Sequence, residues 1–234
     1  MIKGGCSVKN FVRLMALIAV MLVLISVPVH AEILTIYPSD DRSGTDDPAG
    51  GGFDSLADQT EGTLTVELNP ETRAAFEFDL AAVRAAINNG ASLISATLDL
   101  TRSSTLGGAR IKIYGYAGNG VIELSDMQET ATVVGPEWNP GYAVHYTQDM
   151  TAFINTLLGT SATHAGFLAR QLVEGQTTII NSKECEDSRR WPFLEIELTD
   201  VATPIPTLSE WGMIIMSLLL AGSAVWMLRR RQIA

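Results

Sequence analysis

Hydrophobic and polar residues alternate with period two through most of residues 32–199, the pattern of a strand with one dry face. Leu64, Val66 and Leu68 alternate with threonine and glutamate, and Phe76, Phe78 and Leu80 with Glu77 and Asp79. Ile94, Ala96, Leu98 and Leu100 alternate with Ser95, Thr97, Asp99 and Thr101; Ile111 and Ile113 with Arg110, Lys112 and Tyr114; Leu194, Ile196 and Leu198 with Glu195 and Glu197. Each segment predicts a strand with one wet face, as in an antiparallel sandwich. Further strands are expected at residues 33–37, 166–172 and 177–181. Two stretches change to helical spacing. Asp79 can cap a turn in which Leu80, Val83 and Ile87 share a face, ended by Gly90. Asp149 can cap a second, with Met150, Phe153, Ile154, Leu157 and Leu158 inward and Gly159 at its end. The pattern predicts a mainly β fold: a jelly-roll-like antiparallel β-sandwich with two short helices.

Both ends of the chain abandon the alternation. Lys3, Lys9 and Arg13 precede an almost wholly apolar run at residues 14–27, interrupted only by Ser26, and Val29, His30 and Ala31 follow. A basic start, a short apolar core and small residues at its end describe a secretory signal. Signal peptidase is expected to cut between Ala31 and Glu32. Residues 211–228 form a second uncharged, mostly apolar stretch. As a helix it is about 27 Å long, close to the thickness of a bilayer core of about 30 Å. Arg229, Arg230 and Arg231 follow at once. The positive-inside rule keeps them cytoplasmic and places the domain before them outside. The expected organisation is a signal peptide at 1–31, an extracytoplasmic domain at 32–200, a proline-containing linker at 201–210, a transmembrane helix at 211–228 and a basic tail at 229–234. The two apolar runs account for a mean hydropathy of +0.19, high for a soluble protein.

Just before the second apolar run stand Ile205, Pro206, Thr207, Leu208, Ser209, Glu210, Trp211 and Gly212. Pro204 and Pro206 keep this approach extended. Motif, apolar helix and arginine cluster in that order resemble the IPTL-CTERM sorting signal, a relative of the PEP-CTERM tails of Gram-negative bacteria. The resemblance implies recognition and cleavage by a membrane-embedded, exosortase-type enzyme. It also implies a transient stay in the inner membrane, then display at the cell surface or in an extracellular matrix. The middle region carries its own resemblance. Residues 73–80, 94–100 and 111–114, then Asp149, Met150 and Thr151, then residues 181–184 leading to 192–196, are similar in order to DNRLRE-type secreted β-sandwich domains. That likeness implies a non-catalytic part of a surface protein, related to carbohydrate-binding modules.

Charge narrows the class of partner. The 234 residues carry a formal net charge of −10. Of the 26 acidic residues only Glu210 lies outside residues 32–203, whereas six of the 16 basic ones do, so that stretch stands near −15. Such a surface keeps an exported protein soluble and gives no footprint for nucleic acid. Two cysteines and three histidines exclude a disulfide scaffold and a dense zinc site. Removal of the signal leaves Cys185 alone, between Glu184 and Glu186, whose charges disfavour a thiolate.

Candidate chemistry is sparse. Residues 39–54 read as a loop rich in aspartate and glycine. Asp40, Asp41, Asp46 and Asp47 supply the oxygen ligands that Ca²⁺ prefers, but in no EF-hand spacing, and the same residues build ordinary turns. Trp138, Tyr142 and Tyr146 lie in a turn-rich stretch; such rings stack on sugars or fill a core. Trp191 has the same two readings. No G-x-S-x-G elbow accompanies His145 or His164. A carboxylate pair for glycoside cleavage remains open on sequence grounds, because its members need not be neighbours. The leading expectation is a non-catalytic structural or adhesive domain without a cofactor; the alternatives are a module binding exopolysaccharide and, more distantly, a polysaccharide hydrolase or lyase.

Overall fold

A computed structural model describes residues 31–46, 52–57, 62–105, 109–128, 132–141 and 144–199, together with 212, 214, 215, 218 and 219. The signal segment 1–30 lies outside them, as do Asp47, Tyr142, residues 205–211 and Arg229 to Arg231.

Twelve strands occur among the described residues. In chain order they are β1 (Ala31–Ile36), β2 (Pro38–Asp46), β3 (Phe53–Ala57), β4 (Thr63–Leu68), β5 (Glu71–Asp79), β6 (Leu93–Thr105), β7 (Ile111–Gly118), β8 (Thr132–Val133), β9 (His145–Asp149), β10 (His164–Gln171), β11 (Thr177–Asn181) and β12 (Phe193–Thr199). Three α-helices join them: α1 (Ala81–Asn88), α2 (Leu124–Gln128) and α3 (Thr151–Leu158). Every named strand pair is antiparallel. The fold is the expected mainly β, sandwich-like one, with a third helix.

One curled sheet makes both layers. The first runs β1-β12-β6-β9. The second runs β3-β2-β5-β10-β7-β8. The thirteen-residue β6 links them. Its early residues pair with β12 and β9, while Arg102, Ser104 and Thr105 pair with β11. From there β11 pairs with β4, and β4 turns through Asn69 and Pro70 into β5. The alternating apolar residues of both layers meet in one core. Phe76 and Phe78 of β5 and Phe167 of β10 face Leu98 and Leu100 of β6 and Leu194, Ile196 and Leu198 of β12. Helices α1 and α3 close it with Val83, Ile154 and Leu157.

Both predicted helices form, with their aspartates doing the expected work one residue early. The Asp79 carboxylate accepts the Ala81 N–H at 2.7 Å, and the Asp149 carboxylate accepts the Thr151 N–H at 2.8 Å. These bonds satisfy N–H groups that a helix start leaves without partners. Leu80 and Met150 are the formal caps.

Two expectations are corrected. The stretch after residue 38 is not a loop: Pro38–Asp46 is a strand that pairs with β5 from Pro38↔Phe78 to Asp46↔Glu71 and with β3 on its other side. Nor do all strands have a wet face. Within β5, residues 74–78 are buried without interruption, and β10 is nearly as enclosed. A second apolar cluster covers the outer face of this layer: Phe53 of β3 and Ile122 and Met127 around α2 pack on Ala75, Tyr116 and Leu168.

Candidate functional site

The carboxylates of the aspartate-rich stretch are distributed by strand geometry. Successive side chains of a strand point to opposite faces, so Asp40 and Asp41 diverge. Asp40 lies opposite Glu77, accepts the Ile122 N–H at 3.0 Å and pairs with Arg42 at 3.0 Å. Asp41 is fully buried; its Oδ2 accepts the Lys183 N–H at 2.8 Å, and its Oδ1 has no partner among the described residues. Burial pushes the Asp41 carboxyl up to about 7, and the nearby Glu184 carboxylate adds to the shift. Asp46 ends the strand with Oδ1 buried and without a partner among the described residues. Among the described residues no three His, Cys, Asp or Glu side chains gather as a metal set.

Glu77 is the second buried carboxyl, and it gives no sequence signal beyond one polar letter in an alternating run. It lies under the outer cluster, and its Oε2 accepts the Gly120 N–H. A Cβ at Gly118 would stand 2.6 Å from the Glu77 carboxyl carbon, so glycine is needed there for the carboxyl to fit. Burial raises the pKa of Glu77, and Gly120 partly offsets the rise. Tyr116, beside it, is also raised, by burial and by the charge of Glu77. Both carboxyls are closed off by the fold and hold pieces of chain together: Asp41 ties β2 to the loop before β12, and Glu77 ties β5 to the turn after β7.

The aromatic candidates divide. Trp138 and Tyr146 are 3% and 5% exposed, with ring centroids 5.5 Å apart, and both belong to the main core. The Trp138 backbone exchanges two 2.8 Å hydrogen bonds with Ile111, and the Tyr146 hydroxyl donates to the Pro136 carbonyl. Neither ring offers a free face, so of the two readings these two residues take the core one and not the sugar contact; Tyr142 lies outside the described residues. Trp191 sits at the rim, edge-on to Tyr37 at 5.6 Å, and donates to the Cys185 carbonyl. Cys185 is free and half-buried.

Ala31 and Glu32, where the signal cut is expected, are the first two residues of β1 and pair with Thr199 and Leu198. The sorting motif falls on residues 205–212, of which Gly212 alone is described. Gly212, Ile214, Ile215, Leu218 and Leu219 are helical, and the last four expose their side chains. The transmembrane expectation therefore rests on residues largely outside the described ones; no helix among the described residues is long and apolar enough to cross a membrane.

Sequence reasoning missed one cluster altogether. Arg102, Arg189 and Arg190 converge on a cleft of about 490 Å³ with Ser103, His145 and Asp187. The residues come from three separate stretches of chain, and no linear pattern marks them.

Comparison with known proteins bears on the tail. The model of the IPTL-CTERM motif matches residues 203–231. The chain thus carries an IPTL-CTERM sorting tail behind a β-rich domain, as the resemblance implied, and such a tail implies recognition by an exosortase-type processing enzyme. No curated protein matches the chain.

Proposed function

We propose that this is an exported surface or matrix protein whose β-domain is a structural or adhesive element without catalytic activity. The IPTL-CTERM match at residues 203–231 carries the reading. In it, signal peptidase removes residues 1–31, the 211–228 helix holds the precursor in the inner membrane, and Arg229, Arg230 and Arg231 keep that helix in place. The processing enzyme then recognises the stretch 205–208 just before that helix, where prolines disfavour helical continuation. What supports a passive domain is the use of its unusual carboxyls inside the fold. What supports the resemblance of the middle region to DNRLRE-type domains is the order of elements: the quoted segments coincide with β5, β6, β7, the start of α3 and the approach to β12.

Replacing Pro206 and Thr207 by alanine is expected to leave uncut protein in the inner membrane with its domain folded. Mass spectrometry of exported protein decides the matter. Peptides from residues 213–228 in the surface fraction, or unchanged export of the double variant, would overturn the sorting role. A second reading, a module that binds exopolysaccharide, is favoured by one observation: the arginine-lined cleft.

A further inference from the structure

The curled sheet leaves several strands with an open edge, and they are not guarded alike. Among the described residues β3, β8 and β9 each pair on one side only, and each is short or polar. Strand β8 is two residues long, β3 exposes Asp54 and Ser55, and β9 carries His145, Gln148 and Asp149. Such features blunt an edge against further pairing. Strand β1 lacks them. It pairs with β12 alone among the described residues. From residue 33 to the residue just past its end the chain reads Ile33, Leu34, Thr35, Ile36 and Tyr37, with no charge, glycine or proline.

Burial shows what this strand lacks. Leu34 and Ile36 pack against the main core, opposite Ile196 and Leu194. Those two are fully buried, whereas Leu34 and Ile36 are only half-buried, and no strand among the described residues covers their outer flank. On the other face Ile33 and Tyr37 are 61% and 48% exposed, with exposed Thr35 between them. The backbone groups of β1 that point away from β12 have no ladder to join. The segment is also symmetric in kind about Thr35: Leu34 answers Ile36, and Ile33 answers Tyr37. An interface between two identical surfaces demands that symmetry, because residue i must meet j while j meets i.

We propose that the free edge of β1 binds a second copy of this chain, β1 against β1, antiparallel about a two-fold axis at Thr35. In that register Ile33 lies opposite Tyr37 of the second copy on the outer face, Leu34 lies opposite its Ile36 on the core side, and the two Thr35 residues face each other. Aromatic–β-branched and threonine–threonine neighbours are favourable cross-strand pairs. The half-buried Leu34 and Ile36 gain the cover they lack, and the first layers of two domains become one continuous sheet. Charge permits this partner. Glu32 falls opposite Pro38, at the end of the ladder. Glu195, the neighbour of Thr35 on β12, stands three strand spacings from its counterpart. That is about 14 Å, beyond the screening length of about 8 Å at physiological salt. The proposal rests on the reading of the domain as a structural or adhesive element, but the two fail separately: export is read by fractionation, self-pairing by molecular mass.

The test is sedimentation equilibrium of the full chain in non-ionic detergent. The ladder is short, so the dimer is expected to be weak: mean mass should climb from one copy towards two between about 10 µM and about 1 mM, the regime of small transient interfaces. Added salt should tighten it, because the long-range force between two acidic domains is repulsive. Thr35→Lys sets two lysines directly opposite each other, and Thr35→Glu two glutamates. Each variant alone should weaken pairing about tenfold, and an equal mixture should restore it, with lysine now facing glutamate. Thr35 is exposed, so both changes spare the core. Val121→Lys, at another exposed site, should change nothing. A single-copy mass over the whole range, association indifferent to both Thr35 variants, or no recovery in the mixture would overturn the proposal.

Discussion

The two faces of β5 are both buried, and they are built from different materials. The inner face presents Ala74, Phe76 and Phe78 to a core shared by both layers, where Phe78 and Phe167 meet edge-to-face at 5.8 Å. The outer face presents Arg73, Ala75 and Glu77 to a lid made of β3, the α2 region and the turn after β7. There Arg73 sits 4.7 Å over the Phe53 ring and donates to the Met127 carbonyl, while Glu77 is roofed by Gly118 and Gly120. The inner face stays dry because apolar surface leaves water. The outer face stays closed because charged groups have found chain to bond. A dry core tolerates conditions and resents lost volume; a buried charged seam tolerates small changes of volume and responds to pH.

That contrast can be broken at its stronger side first. Phe76→Ala empties the centre of the inner face and should cost about 3–5 kcal/mol, the range for buried aromatic truncation, read as a lower denaturation midpoint with little change in slope. Met127→Ala on the outer face removes a fully buried side chain that the Gly44 side of β2 also contacts. The lid can settle onto the gap, so about 2 kcal/mol is expected, at the low end for such truncations; a loss equal to that of Phe76→Ala would show one continuous core instead of two.

The smallest effect concerns charge, at a buried carboxyl of β2 that lies opposite Phe76 and so outside the outer seam. Asp41 has a folded-state pKa raised from 3.8 to about 7. A raised acid binds its proton more tightly in the folded protein, so its contribution is full below about pH 4 and is lost as pH rises through 7. Asp41→Asn should therefore leave melting at pH 4 nearly unchanged. At pH 8 it should raise stability by about 1–2 kcal/mol, below the ceiling of about 4 kcal/mol for the whole displacement, because water and chain relax around a buried charge. Equal effects at both pH values would mean that Asp41 is ionised throughout.

How much of this was legible follows from what each element uses to stay in place. Strands β4, β6, β7 and β12 announce themselves because one face meets water and the other does not. Strand β2 could not: Pro38–Asp46 holds no large apolar residue, and its position comes from pairing along β5. Strand β9 has Tyr146 as its one large buried side chain, and α2 is five residues long. Glu77 looked like the wet position of an ordinary alternation, since nothing in a sequence says that a second layer will cover it. Trp138 and Tyr146 were readable as aromatics but not as core, because rings serve cores and sugars alike. The tail was the most legible part, for a processing enzyme reads a linear motif and needs no fold. The arginine cleft was the least, since Arg102 and Arg189 meet only through tertiary structure.

The pairing of the first strand with the last also orders events in time. Among the described residues strand β1 bonds to β12 alone, from Ala31↔Thr199 to Ile36↔Leu194. In a chain delivered N-terminus first, β1 waits for nearly the whole domain to emerge before it has anything to pair with, and that closure joins the most distant residues of the fold. Until then Ala31 and Glu32 lack the partners they have in the folded domain, and the proposed signal cut would fall on unpaired backbone. Once β12 arrives, Ala31 and Glu32 are drawn into a ladder, so under the proposed cut between them the fold would time its own maturation.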